Sequence, residues 1–125
     1  MYLFDYDFSQ KPSLPVLPIE VVNPVNEQRI STTGLIDTGS DMTLLPDRQL
    51  RQIDCVQDDW IWVEGVSQIP RRLRRYVATI VVRDYAIRLR VIGDPDFREV
   101  VLGRDFLNRF VITLDGPALT TTISA

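Results

Sequence analysis

The chain has 125 residues, 45% hydrophobic and 25% charged, with a net charge of −3, which is the composition of one globular domain spanning 1–125. It holds no His and a single cysteine, Cys55, which excludes Ser-His-Asp and Cys-His catalysis, an intramolecular disulfide, and His- or Cys-cluster metal sites, so neither metal nor cofactor is expected. No apolar run approaches the ~20 residues that span a bilayer, and no basic-then-apolar leader opens the chain, so a cytoplasmic protein without a membrane partner is expected.

In chain order, Tyr2 to Phe8 alternates aromatic and acidic residues. Leu14 to Val22, broken by Pro15 and Pro18, reads as an edge strand, where missing N–H groups are tolerated. Arg29 to Ile36 is a second strand, and Asn26-Glu27 makes the turn before it. That strand runs into Leu35-Ile36-Asp37-Thr38-Gly39-Ser40, a carboxylate closing an apolar run inside a tight turn. Burying an ionised carboxylate is costly unless donors surround it, and Thr, Gly and Ser supply hydroxyls and closely approaching N–H groups. Asp37 is therefore a candidate acid/base group, although the same tripeptide also serves as an ordinary Asx-type turn.

Met42-Thr43-Leu44-Leu45 is extended, and Pro46 to Arg51 reads as a short helix with Leu50 turned inward. Cys55 reads as a small, partly buried apolar residue. Trp60 to Ile69 reads as a hairpin with Glu64-Gly65 near its tip and Trp60 and Trp62 in the core. The cluster Arg71-Arg72-Leu73-Arg74-Arg75 leads into a strand, Tyr76 to Val82. Such a cluster suits either nucleic-acid contact or a solvated strand edge; the acidic overall balance favours the edge, and no nucleic-acid partner is expected. Tyr85 to Val91 alternates strictly, with Tyr85, Ile87, Leu89 and Val91 on one face. Gly93 to Asp96 is a turn. Val100-Val101-Leu102 is an apolar strand followed by Gly103-Arg104 and a short helix, Asp105 to Arg109, with Phe106 and Phe110 on one face. Val111 to Leu114 is a further strand, and Leu119 to Ile123 is a β-branched terminal segment suited to pairing with another chain. The pattern is all-β, with short strands and two small helices.

Two segments carry a family resemblance. Leu35-Ile36-Asp37-Thr38-Gly39-Ser40-Asp41 and, some sixty residues on, Val100-Val101-Leu102-Gly103-Arg104 together resemble the retropepsin-like branch of the aspartic proteases. The resemblance spans about Pro15 to Asp115. It implies a closed β-barrel or sandwich with a flap hairpin and one or two short helices, acting as a homodimer. It further implies that Asp37, Thr38 and Gly39 are catalytic, and that Ser40, Asp41, Val63, Glu64, Gly65 and Val66 contact substrate. Ser40 would donate to the outer oxygen of Asp37, and Asp41 would form an ion pair with Arg104. Leu35 and Ile69 would help to line apolar subsites.

Hydrolysis by carboxylates needs two of them, one ionised to activate water and one protonated to donate to the carbonyl oxygen. The chain has one Asp-Thr-Gly and no Asp-Ser-Gly, and Asp115-Gly116-Pro117 lacks the intervening hydroxyl residue. The second carboxylate would come from the Asp37 of a second copy on a two-fold axis. The expected function is a homodimeric aspartic endopeptidase acting on peptide or protein substrates. The alternative is a catalytically inactive module of the same fold, used for dimerisation or peptide binding.

Overall fold

The computed structural model describes residues 1–65 and 69–125. Among the described residues the elements are β1 (Tyr2–Asp5), β2 (Val16–Val22), β3 (Arg29–Ile36), β4 (Leu44–Pro46), α1 (Asp47–Gln52), β5 (Gln57–Val63), β6 (Arg71–Val82), β7 (Tyr85–Asp94), β8 (Val100–Leu102), α2 (Arg104–Leu107), β9 (Val111–Asp115) and β10 (Thr120–Ser124). The fold is all-β, as its alternating segments predict.

The main sheet runs β2-β3-β8-β4-β7-β6-β5. Pairing of Glu20–Val22 with Thr79–Val81 brings β6 back to β2 and closes β2, β3, β8, β4, β7 and β6 into a barrel. Strand parity dictates what fills it: Leu17, Ile19 and Val21 of β2, Ala78, Ile80 and Val82 of β6, and Val91 of β7 all point inward and are buried. Leu45, Leu50, Leu102 and Phe106 plug the rest of the core. Cys55 is buried with them, and burial pushes its thiol pKa up to about 11, which leaves it inert as a nucleophile.

Three expectations are corrected here. β2 is an edge only in its first half: β6 reaches Glu20–Val22, whereas Pro18 lies beyond that pairing and loses no ladder bond on that side. The terminal segment does not await another chain, because β10 is the centre of a three-stranded sheet, β1-β10-β9. Tyr2 and Ile112 flank Ile123 across that sheet, and Phe4 and Leu114 flank Thr121. Finally, Gly93 and Asp94 end β7 and are buried, so the turn begins only at Pro95.

The hairpin also differs. Its first arm is β5, but the returning arm is the arginine-rich start of β6, with Trp60 opposite Arg74 and Trp62 opposite Arg72. Val66 lies outside the described residues. Trp60 and Trp62 are not core residues; they are 42% and 69% exposed. On this arm their face lies beyond the barrel stave, and the Arg72 and Arg74 guanidinium groups cover the Trp60 ring at 4.7 and 4.8 Å instead.

Candidate active site

The three residues of β8 organise the site. β8 runs parallel to the end of β3, with Gly34, Leu35 and Ile36 opposite Val100, Val101 and Leu102. Its other side pairs with β4 through Val101 and Leu44. The strand entering the Asp37 turn and the strand leaving it are therefore fastened to one short stave. The Asp37 N–H donates to the Leu102 carbonyl at 3.1 Å, and the Arg104 N–H donates to the Ser40 carbonyl at 2.8 Å. Within the turn the Ser40 N–H donates to the Asp37 carbonyl at 3.2 Å.

Two glycines make this closeness possible. A Cβ on Gly34 would stand 2.7 Å from the Leu102 side chain. A Cβ on Gly103 would stand 2.4 Å from the backbone carbonyl of Met42, nearer than any real Cβ comes.

The Asp37 side chain is half-buried, and Thr38 and Gly39 are exposed. Asp37 Oδ1 accepts the Gly39 N–H at 2.9 Å. The carboxylate is thus presented at the surface of the single chain rather than enclosed by donors. Ser40 does not serve it. The Ser40 hydroxyl donates to the Met42 carbonyl at 2.7 Å, within its own turn. Substituting Ser40→Ala should therefore leave the pH profile of any activity in place and cost about 1 kcal/mol of stability, the worth of one hydrogen bond. Matched pH–rate profiles and denaturant unfolding check both halves.

The expected ion pair between Asp41 and Arg104 is also absent. Asp41 is exposed, and Arg104 Nη1 donates instead to the Thr38 carbonyl at 2.8 Å, bracing the turn by its backbone. The carboxylate that ties the turn to α2 is Asp105. Its Oδ2 accepts the Thr43 N–H at 3.1 Å and its Oδ1 accepts the Thr43 hydroxyl at 2.7 Å. Thr43 Oγ1 in turn accepts the Gly103 N–H at 3.1 Å. Sequence reasoning missed both residues. The available signal was Thr43 itself, a polar residue in an apolar run that proves to be fully buried.

Of the expected hairpin residues, Val63 is half-buried at the end of β5, and Glu64 and Gly65 are exposed beyond it. The arms are held by charge. Arg75 grips Asp59 with two hydrogen bonds, and Arg90 Nε reaches Asp58 at 2.8 Å. Arg71 holds the buried Asp94 in a fork at 2.9 and 3.0 Å and Asp96 at 2.9 Å. The arginine cluster is thus neither a bare solvated edge nor a uniform basic stripe: two of its members are ion-paired and two lie over Trp60.

The hydrogen bond from Arg75 holds the Asp59 carboxyl below its usual 3.8. A depressed carboxylate contributes its full stabilisation above the ordinary pKa and loses it as pH falls through the lowered one. The hairpin should therefore keep its pairing down to about pH 4 and loosen only below it. Tryptophan emission against pH, compared with Asp59→Asn, tests this; a wild-type transition at neutral pH would contradict it.

Comparison with known proteins follows the same lines. The family model for retroviral aspartyl protease matches residues 12–115. No curated protein matches the chain in sequence. Among solved structures, the chain is similar to a retropepsin-like aspartic protease from Rickettsia conorii, with 13% identity, 99% of this chain and 92% of that one covered, and a TM-score of 0.62. It is similar to the EIAV protease solved with an inhibitor at 18% identity, covering 85% of this chain and 93% of that one, with a TM-score of 0.60. Simian foamy virus protease follows at 15% identity, with 74% and 91% covered and a TM-score of 0.52. At these identities the structural likeness speaks for the fold.

Proposed function

The chain belongs to the retroviral aspartyl protease family, and from that premise we propose that it is a homodimeric aspartic endopeptidase. The observation that carries this reading is the Asp37 turn: a carboxylate tightly positioned by backbone, yet with its tip residues Thr38 and Gly39 open to solvent. A single chain offers only half of a carboxylate pair, and the open tip leaves room for the other half.

In this reading two copies of Asp37 meet on a two-fold axis and share one proton, since neighbouring carboxylates do not both ionise. The ionised member takes a proton from water as the water oxygen adds to the peptide carbonyl carbon. The protonated member gives its proton to the carbonyl oxygen, forming a gem-diol. The carboxyl that gained the water proton then passes it to the amide nitrogen, while the other takes a proton from a gem-diol hydroxyl. The C–N bond breaks, acid and amine leave, and the dyad is restored. Thr38 hydroxyls brace the two turns against each other, and the Gly39 carbonyl accepts from the extended peptide. The hairpin residues Val63, Glu64, Gly65 and Val66, with Ser40 and Asp41 of the turn, form the substrate walls as a flap over the cleft.

Apolar subsites discriminate by only about 1–3 kcal/mol per methylene-scale change, so broad preference for large apolar residues at the cut bond is expected. A peptide-library digest at several pH values, with and without a transition-state inhibitor of aspartic proteases, tests the reading. Inhibitor-sensitive cleavage beside apolar residues supports it. Failure to cleave any peptide, with a dimer present by analytical ultracentrifugation, would instead assign the chain to the inactive-module alternative.

A further inference from the structure

Four arginines that the cleavage chemistry leaves unused surround two adjoining hollows. The first, about 200 Å³, lies between the hairpin and α1 and is bordered by Trp60, Arg72, Arg74 and Pro95. The second, about 510 Å³, lies across Pro95 and is bordered by Arg48, Phe97 and Arg98. Because Pro95 borders both, they form one run across the surface.

Among the described residues, Arg48, Arg72, Arg74 and Arg98 make no ion pair. The carboxylates bordering the run are already held, Asp47 by Arg51 at 2.8 Å and Asp96 by Arg71 at 2.9 Å. The exposed Trp60 ring and the half-buried Phe97 ring lie among these unpaired guanidinium groups. The chain carries 17 Asp and Glu residues, yet among the described residues none pairs with these four arginines.

We propose that this run is a docking site for an acidic, aromatic-containing stretch of polypeptide, separate from the residues at the cut bond. A guanidinium fork matches a carboxylate with two parallel hydrogen bonds, and alternate side chains of an extended peptide stand about 7 Å apart, suiting separate cationic points. A nucleic-acid backbone is the competing polyanion, and an oligothymidylate arm in the titration separates the two. The choice of polypeptide rests on the proteolytic reading, and the position agrees with it: the loop carrying Phe97 and Arg98 leads into β8, whose Leu102 carbonyl holds the Asp37 N–H.

The test is read as binding, so it does not depend on turnover. The chain has two tryptophans, both on the hairpin, and their emission reports occupation of the first hollow. The Asp37→Asn chain would be titrated with a Trp-free peptide alternating Asp and Phe, its Asn–Phe counterpart, a Lys–Phe counterpart, and oligothymidylate. We expect the acidic peptide to bind at least tenfold more tightly than the Asn–Phe peptide at about 50 mM salt, with the gap closing as salt screens the charges. Combining Arg48→Glu with Arg98→Glu should abolish that preference and favour the Lys–Phe peptide; Arg72→Gln with Arg74→Gln serves as a second variant on the other hollow. Equal binding of acidic and neutral peptides, a preference that survives both double variants, or tighter binding of oligothymidylate would each overturn the proposal. Absence of hydrolysis by the wild-type chain would refute the protease reading alone, since the binding result is obtained without it.

Discussion

Replacing Asp37 with Asn is expected to lower peptide hydrolysis by about 10⁴-fold or more while leaving the fold and the dimer in place. Each positioned acid or base is worth roughly 10²–10⁴ in rate, and this single substitution removes both from a two-fold site. The fold should not suffer, because the hydrogen bond that the Asp37 side chain accepts among the described residues, from the Gly39 N–H, is equally available to the Asn carbonyl. Rates measured with contaminating protease excluded, beside thermal unfolding and sedimentation of both proteins, decide the matter. Near wild-type cleavage by the variant would remove Asp37 from the mechanism. Lost activity together with lost folding would mean that the carboxylate is structural.

Gly103→Ala should be the most damaging small substitution in the chain. The added methyl would meet the backbone carbonyl of Met42 at 2.4 Å, and backbone there cannot step aside without moving the whole turn. Overpacking of a core costs roughly 1–3 kcal/mol, and this site belongs at the top of that range or above it. Relief of the clash would also pull apart the Arg104 to Ser40 and Gly103 to Thr43 hydrogen bonds, which position the Asp37 turn. Stability and activity should therefore fall together. Gly116→Ala, where nothing lies within 4 Å of the added atom, is the matched control. If Gly103→Ala unfolds at the wild-type denaturant midpoint, the tight approach of β8 to the turn is wrong.

What could be read ahead of the structure was local. The strict alternation of Tyr85 to Val91 carried its face assignment intact into β7, because strand parity depends only on neighbours. The Asp37 turn and the apolar segment ending at Gly103 were legible for a similar reason: each has unusual chemistry within a few residues. Contacts between distant segments were not legible. Asp105 reads in sequence as no more than the start of a helix, because the Thr43 that it holds stands 62 residues away. Resemblance gives Ser40 and Arg104 carboxylate partners, whereas the fold satisfies them with the backbone carbonyls of Met42 and Thr38. In the hairpin a run of arginines looks like solvated surface until the carboxylates that they grip, Asp59 and Asp94, are known. Trp60 and Trp62 show the converse error, since large apolar rings are placed inside by default although an arm beyond the barrel has no interior to offer.

The position of β8 between β3 and β4 also sets an order of events during synthesis. The Asp37 turn emerges from the ribosome with its flanking strands, but the stave that fastens both of them comes more than sixty residues later, as the 66-residue span between the paired Gly34 and Val100 illustrates. Until that segment is made and threaded between them, the turn has no floor, and pairing over so long a span is slow to form. A nascent chain is thus without an organised Asp37 turn until residues 100–102 have emerged. The floor of the Asp37 turn is supplied by a segment translated long after the turn itself.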